Sequence, residues 1–414
     1  MSGEAEKQAQ RAAERVARES YGRLVAFLAA RTRDVAGAED ALADAFATAL
    51  RRWPKDGVPA NPDAWLLTAA RRRQTDARRR GQTRRAGEPM LKLIAEEIEE
   101  AAALPEEIPD RRLALMFACA HPAIEVGMRS PLILQTILGL TAEAIAATFL
   151  IPPSAMGQRL VRAKTRLRDA GIPFRVPERD ELPERLGAVL EAIYAAYAQG
   201  WADIAEAGTS DLADEAIWLA RLVVALLPEA PEARGMLALM LYTEARRTAR
   251  RSPDGAYIPL EDQDTGLWDD SLIAEAEALL RAASADGPSG RYQLEAGIQS
   301  AHIARRLRGA NTWPAIVILY DHLLSLTASP VVALNRAVAL AEVDGPQAAL
   351  AAIAPLAEDR RMAGYQPHWA ARAALLARAG RETEAADAYQ RAIGLTTDDA
   401  VRRYLAAQRA RLAN

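Results

Sequence analysis

One cysteine, Cys119, and four histidines are spread through 414 residues. That scarcity excludes an internal disulfide framework and a zinc site built from several thiolates, and no metal or other cofactor is expected. Long apolar runs are missing too: stretches such as 236–242 and 315–320 fall far short of the roughly 18 to 20 residues that cross a bilayer. The first residues, MSGEAEKQAQRAAERVARES, lack the apolar stretch of a secretory signal, so a cytoplasmic location and no membrane partner are expected. No phosphate-binding loop or serine-nucleophile motif is present, and His302, His322 and His368 have no nucleophile or carboxylate pattern around them. Enzymatic activity is therefore not expected. Cys119 sits in an apolar helical stretch, which makes it a core residue, and His121 before Pro122 reads as a capping group.

Half of the residues are apolar and 26% are charged, the composition of a soluble globular chain long enough for two or three domains. The net charge of −3 conceals a division: residues 1–180 carry 29 basic against 24 acidic groups, and residues 181–414 carry 23 against 31. Arg71, Arg72, Arg73, Arg78, Arg79, Arg80, Arg84 and Arg85 are accompanied only by Asp76, and Arg159, Arg162, Lys164, Arg166 and Arg168 have no acid between them. On ordered helices such clusters bind polyanions, nucleic acid first; the alternative is a solvated arginine-rich face.

Apolar residues recur at three- and four-residue spacing and strict alternation is nearly absent, so the chain reads as all-α. The apolar run 315–320 is read as helix because Asn311-Thr312-Trp313-Pro314 supplies a cap and an early-helix proline. Residues 1–81 form a first helical domain, 82–110 an acidic linker, 111–172 a second helical domain, and 180–414 a longer helical array. In that array Arg336, Ala337, Leu340 and Ala341 recur thirty-six residues later as Arg372, Ala373, Leu376 and Ala377, and Gly345 recurs as Gly380. Gly380, Ala385, Tyr389 and Ala392 have the spacing of a tetratricopeptide repeat, which this segment resembles. Stacked helix pairs offer a concave surface, and a protein or peptide partner is expected for it. Residues 259–264 with Trp268, and 290–295, read either as binding loops or as capping and packing segments; Asp262, Asp264, Asp269 and Asp270 lack the order of a calcium loop.

The strongest local signal is LTAEAIAATFLIPPSAMGQRLVRAKTRLR at 140–168. A short helix, a prolyl turn and a basic helix have the form of a helix-turn-helix, an ordinary helical hairpin being the alternative. Ile145, Ala146, Phe149, Met156, Leu160, Ala163 and Leu167 would share a core, leaving Ser154, Gln158, Arg159, Arg162, Lys164 and Arg166 for base edges and phosphates. With Pro152 and Pro153 in place of the usual cap, the basic helix is expected to begin at Ser154. In the first domain Asp40 and Asp44 are four apart and share a helix face, while Leu42, Phe46 and Ala49 turn inward; a basic partner suits those carboxylates.

AEDALADAFATA at 38–49 resembles the core-binding helix, region 2.2, of bacterial sigma factors of the extracytoplasmic-function type. PDAWLLTAARRRQTDARRR at 62–80 is similar to their regions 2.3 and 2.4, and 140–168 to region 4.2. The chain continues for about 240 residues beyond the family's usual end, resembling the subgroup with a long tetratricopeptide-like extension. The resemblance implies two small sigma domains, core RNA polymerase contacted through the β′ clamp helices and the β flap, and promoter DNA. Glu39, Asp40, Asp44 and Phe46 would meet polymerase. Trp65, Arg71, Arg72, Arg73, Arg78, Arg79 and Arg80 would meet the −10 element, with Trp65 either stacking on an unpaired base or packing in the core. Ser154, Gln158, Arg159, Arg162, Lys164 and Arg166 would meet the −35 element. The acidic linker would pass near the RNA exit path or stay solvated. Three departures stand out: Arg72 replaces a common asparagine, Leu150 the turn glycine, and Gly157 a basic residue. The implied function is promoter-directed transcription initiation, with the extension regulating it. The competing readings are a polymerase-independent helix-turn-helix regulator with a helical sensor, and a scaffold or enzyme residing in the array.

Overall fold

The structure, a computed structural model, describes scattered helical positions among residues 8–28, then 35–59, 61–81, 110–169, 177–202, 210–285 and 289–413. Every named regular element among these is helical, the sole bridge joining Arg251 to Tyr257. The chain forms two compact units, Met1–Leu226 and Leu227–Asn414. The acidic linker at 82–109 lies outside the described residues.

In the first unit, α1 (Val35–Asp56) and α2 (Pro62–Gly81) pack as a pair. Asn61 starts α2 by accepting the Ala64 N–H at 3.1 Å, and Gly57, at φ 84, ends α1 in the left-handed conformation a C-terminal stop requires. Ala38, Ala41, Leu42, Ala45, Ala49 and Trp53 make the buried stripe of α1, and Leu66 and Ala70 that of α2. Among the described residues, α3 (Arg111–Cys119), α4 (Val126–Thr136), α5 (Ala142–Thr148) and α6 (Pro153–Asp169) follow. Asp110 caps α3 by accepting the Arg112 and Leu113 N–H groups at 2.8 and 2.9 Å. Helix α4 is not amphipathic: Met128, Ser130, Pro131, Leu132, Ile133, Leu134 and Thr136 are all buried. A helix with apolar groups around most of its circumference needs cover on several sides, and α4 receives it from α1, α3, α5 and α6 and from α7 (Leu182–Ala202).

The first unit therefore runs past residue 180, where composition places a boundary. Helix α7 packs on α3 and α4, and α8 (Ser210–Leu226) packs on α7. Gly200 permits the α7–α8 approach, because a Cβ there would lie 2.7 Å from the Ala213 nitrogen. Ser130 of α4 donates to the Glu191 carboxylate of α7, and Arg112 of α3 pairs with Glu215 and lies 5.4 Å over the Trp218 ring of α8. Arg185 of α7, only 2% exposed, donates to the Phe117 carbonyl of α3 at 3.3 Å and to Glu181 at 2.9 Å. A guanidinium at the end of α3 satisfies a carbonyl that the helix leaves without an internal partner.

The second unit is a series of helix pairs. After α9 (Pro231–Glu244), three 3-10 turns precede α10 (Asp270–Ser284); α11 (Arg291–Arg308), α12 (Trp313–Thr327), α13 (Pro330–Leu340) and α14 (Gly345–Ile353) follow, then α15 (Gln366–Arg378), α16 (Glu382–Leu395) and α17 (Asp399–Ala410). The ambiguous apolar run at 315–320 lies inside α12. Ala337 and Ala373, equivalent in the thirty-six-residue recurrence, are both fully buried, and Gly345 and Gly380 both take positive φ. Ala385, Tyr389 and Ala392 pack with Ala373 and Leu376 in one cluster.

Replacing Arg185 with Ala leaves the Phe117 carbonyl unpaired and opens space between α3 and α7. Arg185→Ala is expected to cost about 2 to 4 kcal/mol in denaturant unfolding of the full chain. A loss within about 0.5 kcal/mol would show that α7 is only loosely held.

Candidate nucleic-acid interface

Burial of one face of α1 decides what the other face presents. With Ala38, Leu42, Ala45 and Ala49 turned in, Asp40 and Asp44 are exposed together, and Phe46 is half-buried with its ring 6.2 Å from that of Tyr21. The Tyr21 phenol is pushed far up, by burial first and then by the Glu39 and Asp40 carboxylates, so it stays neutral. Glu39 does not share the open acidic face. Its two oxygens accept from Lys164 Nζ of α6, both at 2.7 Å.

On α2, Trp65 is half-buried and meets the buried Trp53 edge to face at 5.5 Å. It is thus anchored against Trp53 while retaining accessible surface. Arg71 is half-buried, Arg72 and Arg73 are exposed, and Arg73 comes within 3.7 Å of Asp44. That pair is open to solvent, where ion pairs contribute only about 0 to 1 kcal/mol. The helix backbone continues through Arg78, Arg79 and Arg80; their side chains lie outside the described residues.

Thr141 starts α5 by accepting the Ala144 N–H at 3.2 Å. At its end Ile151 N–H reaches back to Ala146 O at 2.9 Å and Leu150 N–H to Ala147 O at 3.3 Å, with Leu150 at φ 52. This is the hydrogen-bond pattern of a glycine-terminated helix with leucine in the left-handed position, a conformation costing a side-chain-bearing residue about 1 to 2 kcal/mol. Helix α6 then begins at Pro153, one residue before the expected Ser154. Pro152 O accepts from Ala155 and Met156, and Pro153 fills the first helical position, where a missing N–H costs nothing.

Met156, Leu160 and Ala163 of α6 and Ile145 and Ala146 of α5 are buried and Phe149 is half-buried; the side chain of Leu167 lies outside the described residues. Ser154, Gln158, Arg159 and Arg162 are exposed along one side of α6, whereas Lys164 turns to Glu39. The Arg166 side chain is outside the described residues. Val161, 64% exposed, shares the outward stripe with Gln158, Arg162 and Thr165. Sequence reasoning omitted it, although the three- and four-residue offsets from Gln158 and Thr165 place it there.

Other candidate groups are structural. Cys119 is fully buried with its thiol pushed up by burial. His121 Nδ1 accepts the Ala123 N–H at 3.1 Å, and His302, edge-on to Trp313, is pushed down to about 4 by burial and by Arg305. Asp264 accepts from Gly266 N–H, Trp268 is buried, and the Tyr292 and Gln293 N–H groups donate to Glu232 at 3.0 and 3.1 Å. The loops at 259–268 and 290–295 are thus tied into capping and packing. Among the described residues no cluster of three or more metal-binding side chains occurs, and no helix is long and apolar enough to cross a membrane.

Residues 16–85 match Sigma-70 region 2, the domain containing α1 and α2, and residues 185–284 match a family of unknown function, DUF6596. The region 2 match supports a sigma-factor role in transcription initiation, within a non-enzymatic class that generally binds core RNA polymerase and promoter DNA. Over 383 residues the chain is 38% identical to Uncharacterized protein R00370 of Rhizobium meliloti (strain 1021), covering 91% of this chain and 90% of that protein. The chain belongs to the same family as that protein. No solved structure matches it.

The backbone at Leu150 is open to test. Leu150→Val, which puts a β-branched side chain at positive φ, is expected to lower stability by about 1 kcal/mol or more, while Leu150→Gly leaves the melting temperature within about 2 °C or raises it. Equal losses would show that side-chain contacts, not backbone conformation, hold the turn.

Proposed function

We propose that the protein is an alternative sigma factor of the extracytoplasmic-function type, with a tetratricopeptide-like C-terminal extension that regulates it. The observation that carries this reading is the joint presence of an open carboxylate face on α1, within the matched region 2, and an open cationic stripe on α6. Asp40 and Asp44, with Glu39 and Phe46 beside them, meet the β′ clamp helices of core polymerase, and the region 4 helices meet the β flap. Trp65 and Arg71, Arg72, Arg73, Arg78, Arg79 and Arg80 contact the −10 element, where a half-open aromatic ring and a run of cations suit unstacked bases and their phosphates. Helix α6 acts as the second helix of a helix-turn-helix in the major groove of the −35 element. Arg159 and Arg162 contact guanine edges or phosphates, with Ser154 and Gln158 nearby; Lys164 and Arg166 add positive charge. Catalysis belongs to polymerase.

The test uses purified full-length protein and bacterial core polymerase in gel filtration. The chain is expected to co-migrate with core, and Asp40→Arg/Asp44→Arg is expected to weaken that association at least tenfold. Tight, sequence-specific binding of the free protein to duplex DNA without any core complex would instead support a polymerase-independent regulator. For the extension, a stop after Leu226 keeps the first unit and is expected to change promoter-dependent transcription; identical output under all conditions would remove its regulatory role.

A further inference from the structure

Helix α12 (Trp313–Thr327) is apolar on nearly every side: among its 15 residues, Asp321 is the sole Asp, Glu, Lys or Arg. Its inner side is accounted for, since Ile316 and Leu323 pack with Leu294 and Ile298 of α11 and Ala339 of α13. Its outer side carries Ala315, Ile318, His322, Ser325 and Leu326, all exposed, with Ile318 and Leu326 at 56% and 57%. The Ser325 hydroxyl donates to the His322 carbonyl at 2.7 Å and is thus engaged within the helix. Among the described residues no other helix exposes two large apolar side chains. By contrast the exposed positions of α16, in the same array, include Glu382, Glu384, Asp387 and Gln390. A helix apolar around its circumference belongs inside an assembly, and an apolar face left open marks a contact surface.

The pattern on that face indicates what covers it. Ile318, His322 and Leu326 are four apart and form one ridge, with His322 midway. A two-fold axis at His322, lying in the contact plane, makes an antiparallel pairing in which Ile318 meets Leu326 of a second copy and Leu326 meets its Ile318. Ridges of this spacing interlock at a crossing angle of about −50°. The same axis sets each edge of the face against the same edge of the second copy. At that edge Asp321 pairs with Arg336 of α13, their side chains 47% and 27% exposed. Two such pairs side by side alternate in sign, so each guanidinium can reach both carboxylates. Each copy's edge is neutral in itself, which leaves charge neither opposing self-contact nor selecting a foreign charged partner.

We infer that the outer face of α12 is a self-association surface, through which two copies of the chain pair about a two-fold axis at His322. The inference concerns the second compact unit alone and holds whether or not the chain is a sigma factor. One apolar ridge and one charged edge per copy make a contact near the small end of specific interfaces, about 1,000 Å² in total. Such a contact suits a reversible dimer that dissociates at about 10 to 100 μM.

The test is sedimentation equilibrium of the full-length chain from about 1 to 200 μM, over which the wild type is expected to pass from monomer to dimer. Ile318→Lys places a cation on the ridge of both copies and is expected to weaken association at least tenfold. Because Ile318 is exposed, the melting temperature of that variant stays within about 2 °C of wild type. Asp321→Arg gathers four guanidinium groups on one edge and is expected to weaken association roughly fivefold, and Asp321→Arg/Arg336→Asp restores the alternation and the dimer. Oxidation with copper–phenanthroline checks the axis. His322→Cys, which meets itself there, is expected to form an interchain disulfide; Ala315→Cys, whose copies lie about 20 Å apart along the helices, is not. The buried Cys119 is common to both variants. A monomer at every concentration would overturn the inference and leave the face to a different partner. Dimers undiminished by Ile318→Lys or by Asp321→Arg, or cross-linked through Ala315→Cys and not His322→Cys, would overturn it equally.

Discussion

Helix α4 is the constraint on which the first unit depends. Its residues from Met128 to Thr136 are buried almost without interruption, and a helix apolar on most sides cannot be covered by one neighbour. Burying Leu132, Ile133 and Leu134 alone is worth about 1.5 to 3 kcal/mol each. That gain is realised only when α1, α3, α5, α6 and α7, drawn from well-separated parts of the chain, converge on it. The helices that begin the C-terminal part are consequently part of the core around α4. Arg185 and Glu191 complete polar groups on α3 and α4 that would otherwise lack protein partners in the interior.

Packing around α4 also determines which charges stay available. Turning the alanine and leucine stripe of α1 inward leaves Asp40 and Asp44 on the surface, and turning Met156, Leu160 and Ala163 of α6 inward leaves Gln158, Arg159 and Arg162 there. The exceptions are the two groups placed where the helices meet. Glu39 and Lys164 would each lose hydration there, and each supplies the other's compensation. Among the described residues this ion pair joins the helix bearing the open carboxylates to the helix bearing the open cations.

The all-α class, the α1 and α6 core stripes and the equivalence of Ala337 with Ala373 were legible because they depend on local periodicity. The exceptional turn was legible too, since a leucine in a glycine position announces itself before its φ is known. What was not legible is tertiary. Nothing near Glu39 or Lys164 announces a partner 125 residues away. The charge change near residue 180 suggested a boundary, whereas burial of α7 against α3 and α4 carries the compact unit to Leu226. Reading Pro152 and Pro153 as a lost cap put the start of α6 at Ser154, whereas the preorganised φ of Pro153 suits the first helical position.

Transcription reconstituted from purified proteins tests the account most directly. Core polymerase would be combined with the full-length chain on fragmented bacterial genomic DNA, and transcript 5′ ends mapped for wild type and for Arg159→Ala/Arg162→Ala. The account predicts start sites absent with core alone, sharing two upstream elements about 25 base pairs apart, and their loss in the variant. Start sites no different from those of core alone would contradict it.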